Sequence, residues 1–354
     1  PIGGVVACKD VVIPNAVGVD IGCGMAFVQT NVPVQLLREV VTGSGKLIQC
    51  IIGGILRTIP VGFQQHKQPQ ESNVLDRAQM ELEKYKKDEA LLPHLEESYF
   101  QAGTLGGGNH FIEIQEDEVG MACIMLHSGS RRFGNMIGQY FNQMAKRLNA
   151  KYFSSVPEEY NLSFLPTDCE EGQRYLNWMH LAMEFAFENR ALMLQKVKQV
   201  FAEFVQKYTD LTPAFSDEIN YHHNYASLEE HFDETVWVHR KGAIHAAEGE
   251  TAIIPGAMGT NSYIVKGLGN ADSFLTSSHG AGRRYSRTKA VESFSVESVM
   301  VDLKQRNVVL GKLKKSDVAE ESRFAYKNIE QVMENQKDLS VPVKRLTTVG
   351  VVKG

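Results

Sequence analysis

Two histidines, an aspartate and a cysteine stand at chain breaks where a side chain can be aimed. Residues 103–131 hold Gly106-Gly107-Gly108-Asn109-His110 ahead of the alternating stretch 111–114. They then hold an apolar run, 122–126, ahead of His127-Ser128-Gly129-Ser130-Arg131. Three consecutive glycines forbid a regular element and permit close backbone approach. The stretches 111–114 and 122–126 have the pattern and length of strands. Each histidine therefore ends a strand, and two imidazoles on adjacent strand ends converge on one metal or one phosphate, or are two satisfied structural histidines. Asp20 and Cys23 lie three apart in the glycine-broken turn Gly18-Val19-Asp20-Ile21-Gly22-Cys23-Gly24. A carboxylate and a thiolate at that spacing grip one ion, and the thiolate can bridge to a second. No second CxxC pair follows, so this is not a zinc finger. Cys8, Cys50 and Cys123 read as small buried hydrophobes.

Seven of the eleven histidines fall in polar or glycine-flanked loops or strand ends: His110, His127, His222, His223, His239, His245 and His279. With Asp20 and Cys23 they suffice for two adjacent metals of the Mn, Fe, Co or Zn type, and hardly for Mg alone. The turn 256–262 can offer backbone N–H groups and hydroxyls to a phosphate. His279 opens a Gly-Ala-Gly turn and is followed by Arg283 and Arg284, which suit bidentate phosphate contacts. No Walker A loop and no Rossmann fingerprint occurs.

These loops need elements to hold them. A helix is expected over 133–148, with apolar residues at three and four, and a long one over 170–208, with Asp168 and Glu171 as a capping box and a possible break near Gln195. Shorter helices are expected near 46–53, 72–92 and 320–335, and strands over 1–30, 219–330 and the C-terminal tail. The chain has 354 residues, 43% hydrophobic and 22% charged, with net charge −5. That is ordinary for a globular protein and excludes a globally basic nucleic-acid binder, so any such surface is local. No run is long and apolar enough for a transmembrane span, and five scattered cysteines suit a reducing compartment, hence a cytoplasmic location. With histidine-bearing loops spread from 110 to 279 and no linker, one interlocked domain is expected. The chain starts without a methionine and as if inside a strand, which suggests that upstream residues are absent.

The chain resembles the RtcB family of RNA-splicing ligases. The likeness is carried by GVDIGCGM (18–25), GGGNHFIE (106–113), HSGSR (127–131), HHNYA (222–226), HRKGA (239–243), PGAMGTNSY (255–263) and SHGAGR (278–283). It implies an α+β fold, a single large domain (1–354) of mixed sheets with peripheral helices and a helical insertion at about 133–208. It implies a ligase that joins an RNA 3′-phosphate or 2′,3′-cyclic phosphate to a 5′-hydroxyl, with GTP and two Mn ions. By the same likeness Asp20, Cys23 and His110 hold one Mn, and Cys23, His127 and His223 the other. His279 becomes guanylylated. Asn109, His223, Asn224, Pro255, Gly256, Ala257, Met258, Gly259, Ser262, Gly280, Gly282, Tyr326 and Lys353 surround the nucleotide. Arg131, Arg240, Lys241 and Arg283 contact RNA or its phosphates. The partner is RNA with those ends, with no membrane, a monomeric enzyme and no evident accessory protein. Departures are Ala257 where the family carries serine, Arg132-Phe133 after HSGSR, and the absent N-terminal segment. Two rival readings use the same residues: a dinuclear metallo-phosphodiesterase, and a non-catalytic RNA-end-binding protein.

Overall fold

The computed structural model describes residues 2–314 and 318–354. Pro1, where the opening strand was expected to begin, lies outside them. The apolar runs that flank the histidines become central strands of an eight-stranded sheet. Its order is Thr251–Ile254, Asn261–Gly267, Ser340–Lys353, Phe111–Glu116, Met121–Ser128, Gly24–Pro33 and Phe215–His222, with Val309–Gly311 paired in parallel to Ser340–Lys353. Side chains alternate across it with period two. Ala26, Val28, Ile124 and Leu126 face one core with Ile52, Met193, Val197 and Phe201. Met25, Phe27 and Met125 face the other with Ile253, Leu303 and Val351. Each of these side chains larger than alanine, taken fully out of water, contributes roughly 1.5–3 kcal/mol. The Tyr221 hydroxyl of the last strand bonds both the carbonyl and the N–H of Ile253 in the first, so the sheet curls nearly closed. The α+β arrangement with peripheral helices is as expected.

The register puts the chemistry at one end of this sheet. Lys353 pairs with Phe111, Phe111 with His127, His127 with Met25, and Met25 with Tyr221, a row across five strands. A second sheet, Gly4–Cys8, Glu234–Lys241 and Asn224–His231, lies beside that end. A two-stranded ladder of Ala243–His245 and Thr276–Ser278 delivers His279 to it.

The helix Glu170–Tyr208 runs 39 residues without the break allowed near Gln195, because its stripe of Met179, Ala182, Ala186, Met193, Val197 and Phe201 stays buried throughout. Its cap is Cys169, whose sulfur accepts from the Gly172 N–H at 3.4 Å, and not Asp168. The helix expected over 72–92 is shorter, Asn73–Met80, followed by single turns. The buried Asp88 carboxylate turns inward to the Trp178 indole N–H at 2.9 Å and to Arg174, and its backbone leaves helical geometry to do so. Similarly only Ile329–Glu334 of the stretch 320–335 is α-helical, since Glu321 is drawn in to Lys353 and Arg283. In both places a buried carboxylate with its ionic partners outweighs local helix propensity, which is worth only tenths of a kcal/mol per residue.

Candidate metal and nucleotide site

The turn bearing Asp20 and Cys23 is held by its own backbone and by the strand beside it. The Cys23 N–H donates to the Asp20 carbonyl at 3.1 Å, and the Cys23 carbonyl accepts the His223 N–H at 2.7 Å. Gly24 is required here: a Cβ would sit 1.9 Å from the Tyr221 carbonyl oxygen. Five side chains meet as a result. Cys23 Sγ is 3.4 Å from His110 Nε2 and 3.2 Å from His127 Nε2. His110 Nε2 is 3.0 Å from Asp20 Oδ2, and His127 Nε2 is 3.2 Å from His223 Nε2. Two triads able to hold a metal follow, Asp20-Cys23-His110 and Cys23-His127-His223, and they share the sulfur.

The protonation states fit metal ligation. His110 Nδ1 lies 3.0 Å from the Leu105 carbonyl and His127 Nδ1 3.3 Å from that of Asn109. A carbonyl can only accept, so Nδ1 carries a proton in both rings and each Nε2 is the ring atom turned to the cluster. Burial, and then the neighbouring imidazoles, pushes His127 and His223 well below the usual histidine range, so both are neutral. Burial and the Asp20 charge push the Cys23 thiol well up, and a metal replaces that proton. Several lone pairs converging with too few protons to share is a donor set that a dinuclear centre satisfies.

His279 stands over this cluster, its ring centroid 4.7 Å from that of His223 and tilted by 68°. Gly242 makes the space: it has φ +63°, and a Cβ there would come within 2.8 Å of the His279 ring. Burial lowers the His279 imidazole to about 4, and its Nδ1 has no hydrogen-bond partner. The ring is therefore a neutral base beside the metal triads, with its Nδ1 unpartnered. The glycine-rich loop adjoins it, since the Pro255 carbonyl accepts the Ala281 N–H at 3.1 Å. Within that loop Ser262 Oγ accepts from the Gly256 N–H at 3.1 Å and from Gln115 Nε2 at 3.2 Å. Ala257, Met258 and Gly259 are buried alongside. Lys353 Nζ lies 2.9 Å from Glu321 Oε2 and 3.5 Å from the Gly108 carbonyl, which joins the C-terminal strand to the loop bearing Asn109. Tyr326 donates to Glu321 at 2.7 Å. Gly280 and Gly282 flank the His279 turn, and no atom lies within 4 Å of a Cβ built at Gly282.

Several candidates are placed elsewhere or are already committed. Arg240 is 0% exposed and forms an ion pair with Glu229, with further bonds to Thr276 Oγ1 at 2.9 Å and the Phe274 carbonyl at 2.8 Å. Its donors are thus committed within the fold. Asn224 spends its amide on the Asp20 carbonyl and its oxygen on the Gly242 N–H, so it ties two turns together. Arg283 bonds Glu321, Tyr326 and two backbone carbonyls, and so braces the turn after His279 against them. Arg131 bonds Thr104 Oγ1 and the Gly62 carbonyl, both at 2.9 Å, yet remains partly exposed. Lys241 reaches the Asn15 carbonyl at 2.8 Å. Of the seven loop histidines, His239 accepts the Ile13 N–H, His245 pairs with Glu250 and His222 meets Gly22 and Arg190, all outside the triads. The residue reading passed over Arg287, an exposed cation whose Nη2 would be 2.6 Å from a Cβ at Gly108, and Glu113, whose carboxyl burial raises to about 7. Glu113 was legible only as a strand residue, and Arg287 looked like any surface charge.

The Arg240–Glu229 pair carries a stability prediction. Burial opposes ionisation of Glu229, but bonds from Arg240, His231 and Ser227 outweigh it and bring the carboxyl to about 2. A folded pKa below the unfolded one adds stability that is complete above about 4.5 and lost as pH falls towards about 2. Denaturant unfolding across that window should show the parent losing its advantage over Glu229→Gln. Arg240→Met should cost about 3–5 kcal/mol, because it strands a buried carboxylate.

Comparison with known proteins agrees with this geometry. The family model described as "tRNA-splicing ligase RtcB" matches residues 1–354. The chain is 37% identical over 364 aligned positions to the RNA-splicing ligase RtcB of Escherichia coli K12, covering all of this chain and 86% of that protein. It is 30% identical over 437 positions to the RNA-splicing ligase RtcB of Mycobacterium tuberculosis H37Rv, covering 100% and 94%. It is 29% identical over 418 positions to the tRNA-splicing ligase RtcB of Thermococcus kodakarensis, covering 100% and 85%.

Proposed function

The chain belongs to the RtcB family of RNA-splicing ligases, and we propose that it joins RNA 3′-phosphate or 2′,3′-cyclic phosphate ends to 5′-hydroxyl ends at the expense of GTP. The observation that carries this reading is the neutral His279 ring set against His223 of the shared-sulfur triads. Asp20, Cys23 and His110 would hold one Mn ion, and Cys23, His127 and His223 the other. Manganese bound there supplies positive charge to phosphoryl oxygens as charge builds on them.

The chain's own residues do the rest. His279, unprotonated at neutral pH, attacks the GTP α-phosphorus; a P–N bond forms as the bond to pyrophosphate breaks, and pyrophosphate leaves with the electron pair. An oxygen of the RNA 3′-phosphate then displaces His279 and takes the guanylyl group. The 5′-hydroxyl attacks the RNA phosphorus, loses its proton to solvent, and GMP leaves. A cyclic phosphate is hydrolysed first. Asn109, the 255–259 loop, Ser262, Gly280, Gly282, Tyr326 and Lys353 are the nucleotide's surroundings, with Ala257 offering no hydroxyl. Partly exposed Arg131 and Lys241, together with exposed Arg287, meet RNA phosphates, and this contact weakens with salt. We read residues 1–354 as one catalytic unit with a helical insertion at about 133–208. Among the described residues no helix is long and apolar enough to cross a membrane. Free, unpaired cysteines support a cytoplasmic setting, and we take the enzyme to act as a monomer.

The test is incubation with MnCl2 and GTP labelled at the α-phosphorus, followed by a denaturing gel and an RNA-joining assay. A labelled protein band and a joined RNA are expected. Cyclic-phosphate turnover without label would instead identify a phosphodiesterase, and end binding without either product an RNA-binding protein.

A further inference from the structure

The ligand-bearing segments come from four separate parts of the chain, and one dipeptide bonds to residues near the ligands in all of them. Asn189 and Arg190 lie near the middle of the helix Glu170–Tyr208 and are both 0% exposed. Arg190 occupies a position of the apolar stripe, four residues after Ala186 and three before Met193. It makes no ion pair among the described residues, an unusual state for a buried guanidinium. Its donors go instead to strand ends. Nη1 donates to the Gly22 carbonyl at 2.8 Å and to the Ser128 carbonyl at 3.0 Å. Nε donates to Asn220 Oδ1 at 2.7 Å, and Nη2 lies 3.1 Å from His222 Nδ1. Gly22 precedes Cys23, Ser128 follows His127, and His222 precedes His223.

Asn189 covers the remaining ligand. Its oxygen accepts the Thr104 N–H at 3.1 Å, and its amide reaches the Thr104 carbonyl at 3.2 Å and the Gly129 carbonyl at 3.1 Å. The amide also lies 3.4 Å from Ser128 Oγ, which donates to the Leu105 carbonyl at 2.8 Å. That same carbonyl takes the His110 Nδ1 proton. Gly24 pairs with Ser128 and with His222 at the ends of their strands, where ladder bonding stops and carbonyls are left over. A planar fork of five N–H groups in fixed directions can satisfy several of them at once, whereas a lysine or an apolar side chain cannot.

We propose that Asn189 and Arg190 are positioning residues of the metal centre, holding the turns of Cys23, His110, His127 and His223 in register from the centre of the long helix. The proposal rests on the metal reading of those four residues and Asp20. It also explains why the helix runs unbroken here: the two side chains must reach across from one rigid rod.

The test uses the full chain, stripped of metal and titrated anaerobically with Co2+, read by the thiolate-to-cobalt absorption that Cys23 ligation produces. The variants are Arg190→Met and Arg190→Lys, with Met193→Ala, buried one turn away, as a control for loss of packing. Cooperative unfolding and far-ultraviolet dichroism establish that each is folded. Arg190→Met should bind cobalt about 10–100-fold more weakly, the range seen when outer partners of metal ligands are removed. Met193→Ala should bind as the parent does. Should the Met variant fail to fold, Arg190→Lys decides, since it keeps the charge but loses the fork, and it should also weaken binding. A folded Arg190 variant with the parent's cobalt affinity, or an equal loss in Met193→Ala, overturns the proposal. A parent chain that shows no thiolate-to-cobalt band refutes the metal reading itself.

Discussion

His279→Ala is expected to abolish labelling of the protein by GTP and the joining of cyclic-phosphate RNA, while leaving the metal content near that of the parent. The ring packs on a triad histidine without belonging to either triad. Burial keeps it neutral down to about pH 4, so it offers a lone pair across the physiological range. Gly242 leaves room beside it, and the loop of Pro255 is bonded to the turn that follows it. A histidine phosphoramidate is acid-labile and stable in base, so the parent's label should vanish in acid and survive alkali. The variant should still seal an RNA supplied with guanylyl already on its 3′-phosphate, because the missing step has then been bypassed. Mass spectrometry that maps a retained label in His279→Ala to another residue would dispose of the assignment.

Cys23→Ser should empty the metal centre. Both triads share this one sulfur, so a single substitution reaches both ions. Serine keeps the volume within one atom but offers a poorly ionised, harder oxygen in place of a soft thiolate. A loss of more than about 100-fold in Mn affinity is expected, at or beyond the top of the range for outer partners. Elemental analysis after gel filtration, and titration followed by the paramagnetic signal of free Mn2+, would measure it. Cys50→Ser provides the comparison: Cys50 sits in the helix Leu47–Thr58, beside the Thr42 hydroxyl at 3.1 Å and away from the triads, and should retain the parent's metal. Equal Mn affinity in Cys23→Ser and the parent would rule out a bridging sulfur.

The motif strings carried the family resemblance, and local pattern carried much of the framework. Period-two alternation and apolar runs marked the strands that hold His110 and His127, and the 3.6-residue stripe bounded the helix Glu170–Tyr208. The glycines around Cys23, His110 and His279 marked turns, since an unobstructed backbone is a local property. The helices over 72–92 and 320–335 were misjudged in extent because Asp88 and Glu321 find partners at positions 174, 178, 283 and 353, and spacing along the chain says nothing about those meetings.

Charge was the least legible quantity. Arg240 and Arg283 stand in motifs that invite a phosphate, yet Glu229 and Glu321 occupy them. Arg190 stands in a helical stripe that invites only packing, yet its guanidinium bonds residues beside three ligand positions, two by their carbonyls and His222 by its ring. From its order of residues alone, this protein had its chemistry-bearing residue types, its turns and its longest elements determined, because these depend on neighbours in the chain. Which of seven histidines gather round one sulfur, and which arginines are drawn into buried ion pairs, only the tertiary structure decided. The reason is that a buried charge or lone pair goes to whatever donor or acceptor the packed strands bring within about 3 Å, and those partners come from anywhere in the chain.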